Sequence, residues 1–201
     1  MKKNYLLKPI AIVLMLISLT AFTAKAQYDF GATLNYSFAT DDLASGAKNG
    51  YGATLHASYN ISEYLIAGLN AGFVTFANKN TDSKVSPLID GNSLYLIPVT
   101  AGVKVYVASF DDKPGAKQPY DNKWRPYFGF DLGWATGNLK LETNSKNYAV
   151  IAPQFGIDCK LSEGVKLRFS AINNLIIYNR LAYGSDVLSY VSLNVGGIFK
   201  F

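Results

Sequence analysis

A strict alternation of apolar and polar residues, with a repeat of two, constrains the fold of this chain more than any other feature. Residues 28–38 place Tyr28, Phe30, Ala32, Leu34, Tyr36 and Phe38 on one face and Asp29, Gly31, Thr33, Asn35 and Ser37 on the other. Residues 51–60 repeat the pattern, with tyrosines near both ends of the apolar face. A repeat of two is the period of a β-strand whose faces meet different environments. Because no segment after Gln27 keeps a helical period, the sequence predicts an all-β protein.

The length of the apolar faces indicates what surrounds the strands. The ten steps from Tyr28 to Phe38 cover about 33 Å of strand. Tilted by about 40°, such a strand rises about 25 Å, the height of the apolar band of an outer-membrane barrel with aromatic residues at both edges. We therefore predict a transmembrane antiparallel up-and-down β-barrel.

The chain divides into eight candidate strands, at 28–38, 50–60, 64–76, 93–107, 125–138, 147–160, 165–177 and 188–201. Short connections at 61–63 and 161–164 alternate with longer polar ones, as in barrels with small turns on one side of the membrane and large loops on the other. The connection 108–124 is long although it falls on the short side. An extra hairpin there leaves ten strands as the alternative.

Residues 1–26 have the pattern of an export leader. Lysines precede the apolar run Ile10–Leu19, and Ala24-Lys25-Ala26 supplies a small-residue cleavage site. The apolar run is short for a membrane-spanning helix, which disfavours an uncleaved anchor. We expect a signal peptide at 1–26 and one barrel domain at 27–201.

Removing the leader changes the charge of the chain. The full chain has 19 basic and 14 acidic residues, but residues 27–201 have 15 and 14, so the basic excess belongs to the leader and nucleic acid is not an expected partner. The mature chain also has no methionine, one cysteine and one histidine. That composition excludes a Met-ligated haem, an iron–sulfur cluster, a zinc finger and a disulfide framework, and we expect no cofactor and no metal.

The C-terminus carries the most specific motif, Asn194 and Gly196 followed by Phe199 and the terminal Phe201. It resembles the terminal signal that the barrel assembly machinery of the outer membrane recognises. The segment Pro126-Tyr-Phe-Gly-Phe-Asp-Leu-Gly133 is similar to strands of small OmpA/OmpX-like barrels. The resemblance implies a porin-family protein of a Gram-negative-type outer membrane, monomeric, with membrane lipids and the assembly machinery as partners.

The alternation also predicts which side chains face the barrel interior. The polar ones are Asn35, His56, Asn70, Lys104, Asp131, Gln154, Asp158, Lys160, Lys166, Arg168 and Asn194. Eight strands leave an interior that side chains fill. Lys104, Asp131, Asp158 and Arg168 lie on successive strands, so we predict an internal salt-bridge network, with an ion path or a polar ligand site as the alternative.

Three further features bear on activity. His56 and Ser58 share the polar face, but no nucleophile motif accompanies them. Cys159 falls on the apolar face, and we interpret it as a small hydrophobic residue. Pro98 and Pro153 each remove a ladder donor from a strand, which predicts a bulge or, alternatively, a weakened seam.

These features predict a structural or surface-interaction role in the cell envelope, with a possible surface ligand bound through the loops and no catalysis. A narrow pore or lateral channel for small or apolar solutes is the first alternative. A lipid-modifying enzyme built around His56 is the second.

Overall fold

A computed structural model describes residues 28–62, 64–79, 93–107, 123–139, 147–180 and 184–201; the predicted leader and most of the 108–124 connection lie outside these ranges. Its strands are β1 (Tyr28–Thr40), β2 (Ala47–Asn60), β3 (Leu65–Asn78), β4 (Ser93–Tyr106), β5 (Trp124–Gly137), β6 (Asn147–Lys160), β7 (Val165–Arg180) and β8 (Gly184–Lys200), with one short helix, α1 (Asp41–Gly46). Within the described ranges, no helix has the length and apolar character needed to cross a membrane.

The eight strands form one closed antiparallel barrel in sequence order. Closure is made by β1 and β8, which pair from Asp29↔Lys200 to Thr40↔Ser189. The fourth and fifth strands pair directly, down to Tyr106↔Tyr127, so no further strand enters the wall between them. The predicted eight-stranded barrel is therefore confirmed, and the ten-stranded alternative is wrong.

The alternation sorts side chains between the two faces as predicted. In β1, Leu34 is 68% exposed on the outer surface, whereas Ser37 is fully buried inside. Aromatic pairs lie at opposite ends of this strand: Tyr28 with Tyr59, ring centroids 5.3 Å apart, and Tyr36 with Phe38, 5.0 Å apart. The outer surface is thus an apolar belt with aromatic edges.

The long-loop end of the barrel differs from the prediction. The ladder of β7 and β8 continues to Arg180↔Gly184, through residues expected to form a connection. Residues 41–46 form α1 rather than a loop. Beyond the apolar belt the strands have no lipid to face, so their outer side chains need not be apolar. Backbone hydrogen bonding nevertheless extends the strands there, and because the sequence does not alternate, these strand residues could not be predicted from it.

Candidate functional site in the barrel interior

The interior of the barrel has three layers. We call the end with the tight connections 61–64 and 161–164 the turn end, and the opposite end the loop end. The turn end contains most of the buried charges, the middle is polar and uncharged apart from Asp131, and the loop end is apolar. The prediction of a polar interior is therefore wrong for the loop end.

The apolar layer is a packed core capped by α1. Its members are Leu43, Ala47, Val74, Phe76, Leu94, Leu96, Ala135, Leu139, Tyr148, Val150, Ala152, Ile176, Leu188 and Tyr190. Leu43 of α1 is 1% exposed and closes this core from above. Asp41, which has a positive φ of 49°, accepts a hydrogen bond from the Ser189 hydroxyl, and Lys79 donates to the Ala44 carbonyl over 2.5 Å. Both contacts fix α1 over the loop end.

An ion pair organises the charged layer. Arg168 of β7 donates from Nε to Asp158 Oδ1 and from Nη2 to Oδ2, both over 2.8 Å, and both side chains are 1% exposed. The Tyr106 hydroxyl donates to Asp158 Oδ2 over 2.5 Å. A second pair joins Lys166 Nζ to Asp29 Oδ2 over 2.8 Å. Sequence reasoning missed Tyr106 and Asp29 as partners, although alternation places Asp29 on the inner face.

The four residues predicted as one salt-bridge network fall into separate groups. Asp131 has no ion pair among the described residues and accepts from Asn70 Nδ2 over 2.9 Å and from Gln154 Nε2 over 2.7 Å. Lys104 is 5% exposed, and its Nζ lies 5.8 Å from the centre of the Tyr127 ring. Asp131 pairs in register with Ala152, six residues along β6 from Asp158, so the two carboxylates lie in different layers.

A chain of hydrogen bonds crosses the middle layer. The Asn70 amide nitrogen donates to Asp131, so its oxygen faces His56 and accepts from Nδ1 over 2.7 Å. His56 Nε2 is then the acceptor for the Thr33 hydroxyl, 2.9 Å away. The order of Thr33, His56 and Asn70 resembles that of a nucleophile, a general base and the group that orients the base. Thr33, however, is only 2% exposed, so a substrate has no access to the hydroxyl.

The predicted partner of His56 lies elsewhere. The Ser58 hydroxyl donates to the Asp29 carbonyl over 3.5 Å, and His56 is held by Thr33 and Asn70. Cys159 is buried and free. No group of three His, Cys, Asp or Glu side chains in the described ranges is arranged to hold a metal ion.

The middle layer contains a cavity of about 40 Å³, lined by polar side chains such as His56, Asn70, Asp131 and Gln154 and by apolar ones such as Val74, Pro98 and Ile172. Its volume is that of one or two water molecules. The chemistry available in the cavity is therefore hydrogen bonding to water.

The two prolines interrupt the wall beside this cavity. Pairing of β3 with β4 stops between Ala71↔Val99 and Val74↔Leu96, around Pro98. Pairing of β6 with β7 stops between Ile151↔Leu175 and Gln154↔Ile172, around Pro153. The register is unchanged across both gaps, so the predicted bulge is wrong at either proline. Neither gap involves β5, which stays paired with β4 on one side and with β6 on the other.

The C-terminal strand places its motif on both faces. Phe199 and Phe201 are 49% and 65% exposed in the outer belt, whereas Asn194 is buried inside. A Cβ at Gly196 would lie 2.0 Å from the Ala32 carbonyl oxygen, so only glycine allows this approach of β8 to β1. The Phe201 N–H donates to the Tyr28 carbonyl over 2.8 Å and completes the seam.

A closed eight-stranded barrel with an apolar belt and a filled interior is the architecture of a small outer-membrane protein. The model of the family described as outer membrane protein beta-barrel domain matches residues 10–199, and the chain belongs to this family. The protein lies in the outer membrane of a Gram-negative bacterium, embedded in its lipids. No curated protein sequence matches the chain.

Solved structures share the fold at low sequence identity. Neisserial surface protein A is 14% identical with a TM-score of 0.61, and the match covers 88% of this chain and 98% of that one. Ail of Yersinia pestis, in complex with the heparin analogue sucrose octasulfate, is 15% identical with a TM-score of 0.50, covering 89% and 100%. The outer membrane enzyme PagL is 12% identical with a TM-score of 0.46, covering 86% and 99%. At these identities the similarity concerns the fold alone.

Proposed function

We propose that this protein is a non-catalytic scaffold of the outer membrane, a filled barrel that supports the envelope and presents its external connections for surface interaction. One observation carries the proposal: the interior is occupied from end to end. The apolar core under Leu43 fills the loop end, the Asp158–Arg168 pair and its neighbours fill the turn end, and the cavity between them is about 40 Å³.

A conductance measurement tests the filled interior. A water-filled channel of porin size needs about 16 strands. We expect the purified protein to give no large, steady current in planar bilayers and no general uptake of hydrophilic solutes in liposome swelling. Stable currents of porin size would contradict the scaffold and support the pore.

An enzymatic role is disfavoured by the surroundings of His56. A nucleophile must reach its substrate, whereas the Thr33 hydroxyl beside His56 Nε2 is buried and lies outside the cavity lining. We expect His56→Gln to leave the lipid composition of the envelope unchanged. A change in acylation that follows His56→Gln but not Ser58→Ala would support the lipid-modifying alternative.

Lateral passage of a small apolar solute is a second candidate, favoured by the ladder gap between β6 and β7 beside the cavity. Paired cysteines at Ala152 and Asn174, which face each other across this gap, would lock it. The control pair replaces Ser37 and Ser192, whose hydroxyl oxygens are 2.7 Å apart in an unbroken ladder. If the solute passes through the gap, the disulfide between positions 152 and 174 should reduce its uptake and the disulfide between positions 37 and 192 should not.

We also infer that the barrel inserts as a monomer and that Asn194, Gly196, Phe199 and Phe201 form the signal read by the assembly machinery. The exposure of both aromatic rings on the outer face of the last strand supports this role. Phe201→Ser should lower the yield of assembled barrel without changing export across the inner membrane. Full assembly of this variant would contradict the assignment.

A further inference from the structure

A groove of about 350 Å³ opens on the lipid-facing wall at the junction of β6 and β7. Its outward-facing lining residues are Phe128, Pro153, Phe155, Ala171, Asn173 and Val191. The lining is almost entirely apolar, and the volume falls within the range of small-molecule sites. Phe128 and Phe155 are register partners on β5 and β6, and the small side chain of Ala171 lies next to Phe155 on β7.

The groove lies on the interrupted part of the wall. Pairing resumes at Gln154↔Ile172 with the register unchanged, so the gap spans Pro153 and the residue in register with it, Asn173. Proline has no N–H to give to the ladder. The ladder between β6 and β7 is therefore interrupted where the groove is formed.

Asn173 is a polar residue in an apolar row. Its neighbours on the outer face of β7 are Phe169, Ala171 and Leu175, and its side chain is exposed. Counted from Val165, it stands about 20 Å above the turn end of an apolar band about 25 Å high. Among the described residues its amide has no hydrogen-bond partner. An amide surrounded by hydrocarbon requires one.

We propose that this groove binds one acyl chain of an acylated glucosamine lipid of the outer leaflet, with the Asn173 amide hydrogen-bonded to a hydroxyl or ester group on that chain. Glycerophospholipid chains carry no polar group below the glycerol esters, which lie at the edge of the apolar band. A hydroxyacyl chain carries its oxygen a few carbons from its point of attachment, at the depth of Asn173. The aromatic rings of Phe128 and Phe155 hold the remainder of the chain.

The test measures lipid bound to the intact barrel. Wild-type protein is reconstituted in nanodiscs of phosphatidylethanolamine with a small fraction of purified lipid A, released into mild detergent and examined by native mass spectrometry. Ala171→Phe fills the groove, and Asn173→Leu removes only the hydrogen-bonding group. Ala53→Phe is the matched control, because Ala53 is a lipid-facing alanine on β2, which does not line the groove. The heat-dependent shift in gel mobility shows that each variant has formed the barrel.

We expect one lipid A molecule per barrel for the wild type and Ala53→Phe, and its loss from Ala171→Phe. Asn173→Leu should weaken retention by up to about tenfold, the net effect of one hydrogen bond. Equal retention by the wild type and Ala171→Phe would overturn the site. Retention of phosphatidylethanolamine alone, or retention of lipid A unchanged by Asn173→Leu, would overturn the lipid assigned. Each of these outcomes is independent of conductance, which tests the scaffold proposal.

Discussion

The two ends of the barrel interior are filled in opposite ways. The loop end holds an apolar core like that of a water-soluble protein, capped by Leu43. The turn end holds ion pairs whose donors and acceptors must meet within hydrogen-bond distance. An apolar core tolerates changes of shape that keep its volume, whereas a buried charge left without its partner is strongly destabilising. Substitutions that remove a similar volume should therefore cost more at the turn end.

The largest effect is expected for Asp158→Ala. It leaves Arg168 as a buried cation without its carboxylate and removes the acceptor of the Tyr106 hydroxyl. We expect a loss of about 3–5 kcal/mol in the free energy of unfolding, measured by denaturant titration in lipid vesicles. The control is Asp42→Ala in the exposed part of α1. Equal stability of the two variants would contradict the ion-paired turn end.

A smaller loss is expected at the loop end for Leu43→Ala. The substitution leaves a cavity in the apolar core, at a cost of about 2–3 kcal/mol. Leu55→Ala removes the same atoms from the lipid-facing surface, where Leu55 is 64% exposed, and should cost less. A loss for Leu43→Ala equal to that for Leu55→Ala would mean that α1 does not close the barrel. A loss larger than that for Asp158→Ala would reverse the comparison between the two ends.

Alternation in the sequence was sufficient for the fold and insufficient for the site. It assigns each side chain to the inner or outer face, and that assignment holds for Lys104, Asp131, Asp158 and Arg168. It does not give the register between strands, and only the register shows that Asp131 lies opposite Ala152, a layer away from Asp158.

The same limit explains the partners that were missed. Lys166 reaches Asp29 across β8, 137 positions apart in sequence, because closure of the barrel brings β1 near β7. Tyr106 and the apolar loop end were missed for another reason. Continuing the parity of Lys104 along β4 places Tyr106, Leu94 and Leu96 on the inner face, but parity does not show which inner side chains bond or pack together.

A substitution in the middle layer should cost less than those at either end. Asn70→Ala removes the acceptor of His56 Nδ1 and one donor to Asp131. Asp131 keeps its bond from Gln154, so the expected loss is about 2 kcal/mol, near the cost of one unsatisfied buried group. Thr54→Ala is the comparison, since Thr54 accepts only a long bond of 3.4 Å from Asn35. If the two variants unfold at the same denaturant concentration, the chain from Thr33 to Asp131 does not stabilise the barrel.

The smallest effect is expected for Tyr106→Phe, and it separates geometry from charge at the turn end. The phenol donates to Asp158 Oδ2, but that oxygen also accepts from Arg168 Nη2 over 2.8 Å. The ring stays in contact with Tyr127, whose centroid is 5.5 Å away, so packing is preserved. We expect a loss of about 1 kcal/mol, the net value of one hydrogen bond, in the same denaturant titration, because the second bond of the phenol, accepted from Arg168 Nη2, is long at 3.3 Å. A loss as large as that of Asp158→Ala would mean that the tyrosine, rather than the ion pair, holds the turn end together. No loss at all would show that Arg168 alone satisfies the buried carboxylate.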